Sequence, residues 1–251
     1  MRHVTRVLQP GWKMLGVALL VICLGACASR QPTVAQGLAQ FDDGDVKGAL
    51  STLTTLAQLG DAKAQQVLGV MYQNGQGVAK NPKEALTWFR LAAASGNEAA
   101  LYQLGFMYAT GAGVARDDVQ ALKWYRLAAQ RGQPNAQYQL GTMSLAGTGM
   151  PQDAGIALQW FTLAASQGDP QSQYQLGSML VNGQGAARDL VLGYMWIDIA
   201  RGLEEPAAIK AAQALSRTMP AQALAQAEKM SRQCIIQSYQ DCAKIVRSAL
   251  P

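Results

Sequence analysis

Few residues in this chain are equipped for covalent or acid–base chemistry. The only histidine is His3, and the cysteines are Cys23, Cys27, Cys234 and Cys242. Adjacent carboxylates, Asp117-Asp118 and Glu204-Glu205, have the composition of a general acid/base pair. Both pairs sit beside turn residues at the start of a helical pattern, where a carboxylate caps free backbone N–H groups. No serine stands three residues before a lysine, so a lysine-activated nucleophilic serine is missing its partner. The glycine pairs Gly75-Gln76-Gly77 and Gly111-Ala112-Gly113 follow helical rather than strand patterns, and no G-K-[ST] follows them, which removes a nucleotide-loop reading. With Cys23 in a leader that is removed and Cys27 lipidated, as read below, Cys234 and Cys242 alone make no structural zinc site. The expectation is a protein that is not an enzyme and uses no metal and no cofactor.

The elements that position these residues repeat. Asp61–Gly96, Asn97–Gly132, Gln133–Gly168 and Asp169–Glu204 align without a gap at a period of 36 residues. Leu68, Leu104, Leu140 and Leu176 fall in register, as do Gly69, Gly105, Gly141 and Gly177, and Trp88, Trp124, Trp160 and Trp196. A period of this length marks a stacked array, in which no unit buries its apolar face alone. Each unit reads as two helices. Leu101, Leu104 and Tyr108 share one helical face; Gly111 and Gly113 end that helix; Asp117 or Asp118 caps the next, whose apolar face is Ala121, Trp124, Tyr125 and Ala128. The alanines and glycines allow close helix approach, and the larger residues fill what remains.

The pattern A-x-x-x-L-G-x-x-Y-x-x-G-x-G-V followed by D-x-x-x-A-x-x-W-[YF]-x-x-A-A-x-x-G resembles the Sel1-like repeat, a relative of the tetratricopeptide repeat. Ala100, Leu104, Gly105, Tyr108, Gly111, Gly113, Val114, Asp117, Ala121, Trp124, Tyr125, Ala128, Ala129 and Gly132 carry it. The resemblance implies an all-α, right-handed α-solenoid of helix-turn-helix units. Ser144 and Leu180 replace the tyrosine, Gly193 an alanine and Glu204 the closing glycine, departures that read as an array coming to its end. Residues 34–60 read as a degenerate N-terminal helix pair, with Asp45 capping its second helix, and residues 205–251 as a helical cap, with helices starting at Glu204-Glu205-Pro206, at Thr218-Met219-Pro220 and at Cys242 behind an Asp241 cap.

By the same resemblance the first helix of each unit lines the concave face. That places Tyr102, Tyr138 and Tyr174 one repeat apart along a groove, with Phe106, Asn135, Thr142, Gln171 and Ser178, and also Asn74 and Asn182, beside them. Tyrosine supplies rigid area with a polar tip, the chemistry of a recognition surface. The alternative is that the tyrosines pack between helices as part of the repeat itself. Protein partners in the cell envelope are the first expectation, a glycan or peptidoglycan the second, and cell-wall hydrolysis the third, with no catalytic set behind it.

The N-terminus reads as a targeting segment. Arg2, Arg6 and Lys13 precede an apolar run, Met14–Ala26, that as a helix spans about 20 Å against a hydrocarbon core of about 30 Å. Leu24-Gly25-Ala26-Cys27 resembles a bacterial lipobox, which implies removal of residues 1–26 and lipid on Cys27; Ala26-Cys27-Ala28 also fits ordinary cleavage. Ala28 and Ser29, with no aspartate after the cysteine, resemble the sorting signal of Gram-negative outer-membrane lipoproteins. Several acyl chains anchor a protein stably. The expected location is the outer membrane, on its periplasmic side, after a linker over 27–33. Removal of the leader takes three of 21 basic residues and none of the 16 acidic ones, so the net charge falls from +5 to +2 and no nucleic-acid partner is indicated. Cys234 and Cys242 form an even pair suited to an oxidising compartment. On one straight helix they would lie about 12 Å apart, beyond disulfide reach, so a bridge requires a turn between them; two free thiols are the other reading. Some Sel1-like proteins bridge helices at this same C-x7-C spacing, which adds to the case for the bridge.

Overall fold

The computed structural model describes residues 32–248. The leader and Cys27 lie outside the described residues. Thirteen helices follow one another and no strand occurs among the described residues: α1 Val34–Asp42, α2 Val46–Gln58, α3 Ala62–Asn74, α4 Pro82–Ala94, α5 Glu98–Thr110, α6 Asp118–Gln130, α7 Pro134–Ala146, α8 Ala154–Ala165, α9 Pro170–Asn182, α10 Leu190–Gly202, α11 Pro206–Ser216, α12 Ala221–Ile236 and α13 Gln240–Ser248. Helices pair as hairpins (α3 with α4, α5 with α6, α7 with α8, α9 with α10), and the second helix of each hairpin packs on the first of the next. The result is an α-solenoid.

The caps recur with the period. Asp61, Asn97, Gln133, Asp169 and Glu205 cap the first helices, and Asp45, Asn81, Asp117, Asp153 and Asp189 the second, each through a side-chain oxygen accepting a first-turn N–H. The 36-residue phase therefore runs past both ends of the four copies: α2 stands where a second helix belongs and α11 where a first helix belongs.

Close backbone approach sets the spacing. A Cβ on Gly105 would stand 2.5 Å from the Tyr125 ring, and Gly69 and Gly141 meet Phe89 and Phe161 in the same way. The second glycine of each G-x-G turn has a role beyond stopping a helix. A Cβ on Gly113 would lie 2.4 Å from the Pro82 carbonyl oxygen, so this turn presses directly on the start of the preceding repeat's second helix. Buried glutamines tie repeats together as well: the Gln65, Gln137 and Gln173 amides donate to the Ala57, Ala129 and Ala165 carbonyls at 3.0, 3.2 and 3.2 Å, satisfying the last turn of the preceding helix. The core is divided accordingly into clusters shared between neighbours rather than gathered at one centre.

The departures in the third and fourth copies each have a packing reason. Ser144 is fully buried and bonds the Leu140 carbonyl at 2.7 Å, and Leu180 is buried. Gly193 is required by contact, since a Cβ there would meet the Gly177 carbonyl oxygen at 2.8 Å. Glu204 keeps the left-handed conformation of the glycines it replaces, at φ 63° against 81° at Gly96 and 88° at Gly132.

The cap folds back on the array. α11 and α12 pack on α10, while α13 reaches α8. Cys234 and Cys242 are disulfide-bonded with Cα atoms 5.8 Å apart, and the chain turns between them. The expected start of the last helix needs correction: α13 begins at Gln240, before Cys242, and the Asp241 carboxylate pairs with Lys244 at 2.6 Å instead of capping. Asp198 on α10 accepts from Ser231 of α12 at 2.6 Å and pairs with Arg201 at 2.6 Å.

Two substitutions test this account. Glu204→Gly removes a left-handed non-glycine residue and should raise stability by about 1 kcal/mol. Gly105→Ala forces a methyl group into the Tyr125 ring and should lower it by about 1–3 kcal/mol. Urea midpoints of both variants against the parent chain check these signs.

Candidate functional site

The first helices α3, α5, α7 and α9 share one face, and the periodic alignment places the expected groove residues on it at fixed intervals. Tyr102 of α5 is half-buried, its ring centroid 5.7 Å from that of Tyr125 at a tilt of 43°. Tyr138 of α7 packs in the same manner on Phe161, 5.8 Å away. Tyr174 of α9 is half-buried against the cluster containing Tyr194 and Ile197. The ladder thus has both roles: one side of each ring closes the hairpin core and the other faces the surface. Phe106, Asn135, Thr142 and Gln171 are exposed, as are Asn74 and Asn182, and Ser178 is half-buried. The Thr142 hydroxyl donates to the Tyr138 carbonyl within its own helix at 3.1 Å.

Two depressions neighbour each other on this face. One of about 280 Å³ is lined by Val70, Gln73, Asn74, Tyr102, Gln103 and Phe106. The other, of about 320 Å³, lies where α1 and α2 meet α3 and is lined by Leu38, Phe41, Leu53, Val67, Val70 and Met71, with Lys63, Gln66 and Gln76 at its rim. Val70 lines both. Sequence reasoning missed this apolar end. A signal for part of it was present, since Val70 stands in phase with Phe106, Thr142 and Ser178, and Gln66 with the tyrosines. Leu38 and Phe41 belong to α1, whose shorter link to α2 puts them out of phase. The surface of the first helices therefore changes character along the array, with apolar depressions beside α1 and α3 and exposed amides and a hydroxyl at Asn135, Thr142 and Gln171 on α7 and α9.

Burial raises the Tyr125 hydroxyl well above the ordinary tyrosine value of 10, with the neighbouring Tyr102 adding to the shift. Tyr102 is also raised by burial, partly offset by the side chain of Gln139 of the next repeat. The carboxylates once eligible as a catalytic pair are occupied structurally. Asp117 caps α6, accepting from Gln120 at 2.9 Å; Asp118 pairs with Arg116 at 3.1 Å; Glu205 caps α11. Among the described residues no group of three or more His, Cys, Asp or Glu gathers as metal ligands would. Nor is any described helix long and apolar enough to cross a membrane.

An array of helical hairpins stacked at a fixed period defines an α-helical repeat protein. The chain belongs to the Sel1 repeat family, whose model matches residues 62–97, 98–133, 134–169 and 170–200. Among solved structures it is similar to a protective antigen present in uropathogenic Escherichia coli strains that displays an SLR fold, at 29% identity and TM-score 0.69 over 80% of this chain and 45% of the other. It is also similar to a Sel1 repeat protein from Oxalobacter formigenes, at 34% identity and TM-score 0.67 over 72% of this chain and 54% of the other. The chain thus spans about half the length of these two relatives. No curated protein matches it. Sel1 repeat proteins in general are scaffolds for protein–protein interaction and are typically non-catalytic.

The buried phenols give a pH signature. A tyrosine whose folded pKa lies above its unfolded value keeps its full contribution below pH 10 and loses it as pH rises through the folded value. Urea midpoints should therefore fall from pH 10 upward, and Tyr125→Phe should make the fall shallower. An unchanged alkaline slope in that variant would remove Tyr125 as its source.

Proposed function

We propose that this chain is a non-catalytic adaptor of the bacterial envelope, tethered to the periplasmic side of the outer membrane by lipid on Cys27, that holds a protein partner along the face of its first helices. The observation that carries the reading is the pair of neighbouring depressions between α1 and α5, lined by Leu38, Phe41, Val70, Tyr102 and Phe106, with the exposed polar positions Thr142 and Gln171 farther along the first helices. A partner segment with an apolar end and a polar remainder matches that gradient. Pre-packed tyrosine rings lose little side-chain entropy on binding, so each contributes contact area at low cost. The lipobox-like Leu24-Gly25-Ala26-Cys27 and the Cys234–Cys242 disulfide support export to an oxidising compartment.

Because the tyrosines also close the core, replacing them by alanine mixes binding with folding, at roughly 1–2 kcal/mol for each half-buried ring. Phe106 and Thr142 are exposed and separate the two effects. The experiment is crosslinked pull-down of the full-length protein from its own cells, with Phe106→Glu/Thr142→Glu beside the parent. Loss of a specific envelope protein from the variant, at unchanged helical content, is the expected result. An unchanged partner set defeats the groove, and co-sedimentation with the sacculus in place of protein capture favours a glycan reader. Mass analysis of the same preparation should find lipid at Cys27; a free N-terminus at Ser29 overturns the anchor.

A further inference from the structure

The second helices carry another stripe that repeats with the period and is covered in the last two copies and bare in the first two. On α10 it includes Val191, Tyr194, Met195 and Asp198, and α12 lies across it: Tyr194 packs with Ala227, and Asp198 accepts from Ser231. One repeat earlier, on α8, the same positions are Gly155, Leu158, Gln159 and Thr162. There α13 lies across the helix, Cys242, Ala243 and Val246 join the cluster of Leu158 and Phe161, and Thr162 is 0% exposed.

On α6 the stripe is Val119, Leu122, Lys123, Arg126, Leu127 and Gln130, and these residues line a shallow groove of about 320 Å³. Among the described helices only α5 and α7 pack extensively on α6, and neither covers this side. Val119 is 63% and Leu127 39% exposed. On α4 the pattern continues with Lys83, Arg90 and Leu91, the last 45% exposed. The chemistry changes with the cover. The two covered stripes hold no basic residue, while the two bare ones hold Lys83, Arg90, Lys123 and Arg126 and no acidic residue.

We propose that the outer face of α6, extended by α4, receives an amphipathic helix from a partner protein, with a stripe of small apolar residues flanked by Asp and Glu. The chain itself displays the mode twice, since α12 and α13 are amphipathic helices laid on the equivalent positions of the next two repeats. The exposed Val119 and Leu127 supply the apolar seat, and the cations Lys83, Lys123 and Arg126, with Arg90 bonded only to the neutral Tyr108 hydroxyl, pair with no carboxylate among the described residues and select an acidic flank. This site lies on the second helices and is independent of the first-helix groove. A chain that fills both faces brings two partners together.

The test places a photocrosslinking amino acid at Leu127 of the full-length protein in its own cells. The expected product joins α6 to a segment of another protein whose sequence has an apolar helical stripe beside acidic residues. Lys123→Glu/Arg126→Glu should lower its yield by roughly tenfold or more. Lys229→Glu/Arg232→Glu, an equal charge change on the exposed side of α12, should leave the yield unchanged. Both pairs are exposed, and matched melting curves confirm that each variant is folded. A crosslink to a second copy of this chain, to lipid or to segments without that pattern overturns the proposal. So does a yield indifferent to the α6 charge reversal, or no crosslink at all.

Discussion

The contact on which the rest depends is a glycine on each first helix pressed against an aromatic ring on the second: Gly69 on Phe89, Gly105 on Tyr125 and Gly141 on Phe161. With no Cβ in the way, the two helices approach until the ring lies on bare backbone, and the hairpin has a fixed spacing. The same ring then supports the tyrosine of the ladder, Tyr102 on Tyr125 and Tyr138 on Phe161. Groove and core are therefore not separate layers. A surface residue three positions before the glycine is held by the ring that the glycine admits. In the fourth repeat Ile197 replaces the aromatic ring, and Gly177 and Gly193 let the two backbones meet directly.

Much of this was legible because the repeat writes it several times. Period, hairpin architecture and cap positions follow from residues that recur in phase, and a signal seen in several copies outweighs any local ambiguity of propensity. What escaped were contacts between residues with no local signature. A buried glutamine reads as a surface residue until its amide is found on the Ala129 carbonyl. The second glycine of a G-x-G turn reads as a second helix stop, while its real constraint is the Pro82 carbonyl a repeat away. The depressions were legible only where they are periodic: Tyr102 and Phe106 announce themselves, whereas Leu38 and Phe41 lie on a helix that the shorter first hairpin shifts out of register. The departures at Gly193 and Glu204 stand where the array ends, and their local reasons, close packing and a preserved left-handed turn, show only in three dimensions.

A solenoid of this kind has no intrinsic end, because the last repeat presents the same apolar surfaces as every other. Termination here uses two devices together. α11 continues the phase as a first helix but carries Ala208 and Ala212 where earlier copies have a small residue followed by leucine, so it covers α10 while offering little apolar surface for a further unit. α12 and α13 then turn away from the array axis and run over its outer side. The disulfide makes these two helices one unit. Closing so short a loop restrains the unfolded chain by about 2–3 kcal/mol in the chain-entropy account, and it pins α13 to α8 through α12.

That arrangement explains why the second helices differ so sharply in composition while the first helices do not. A residue on the outer stripe answers to whatever lies over it. Under α13 the position held by Arg90 and Arg126 becomes Thr162, whose hydroxyl is satisfied within its own helix by the Leu158 carbonyl at 2.7 Å. Under α12 it becomes Asp198, satisfied by Ser231 and Arg201. A buried arginine at either place would be costly unless paired, because a desolvated charge without a counter-charge loses more than packing returns. The cover thus dictates the polar chemistry beneath it. By the same reasoning Lys123 and Arg126 suit water or an acidic surface, and the leucine and valine beside them make the second of these the better match for the whole stripe.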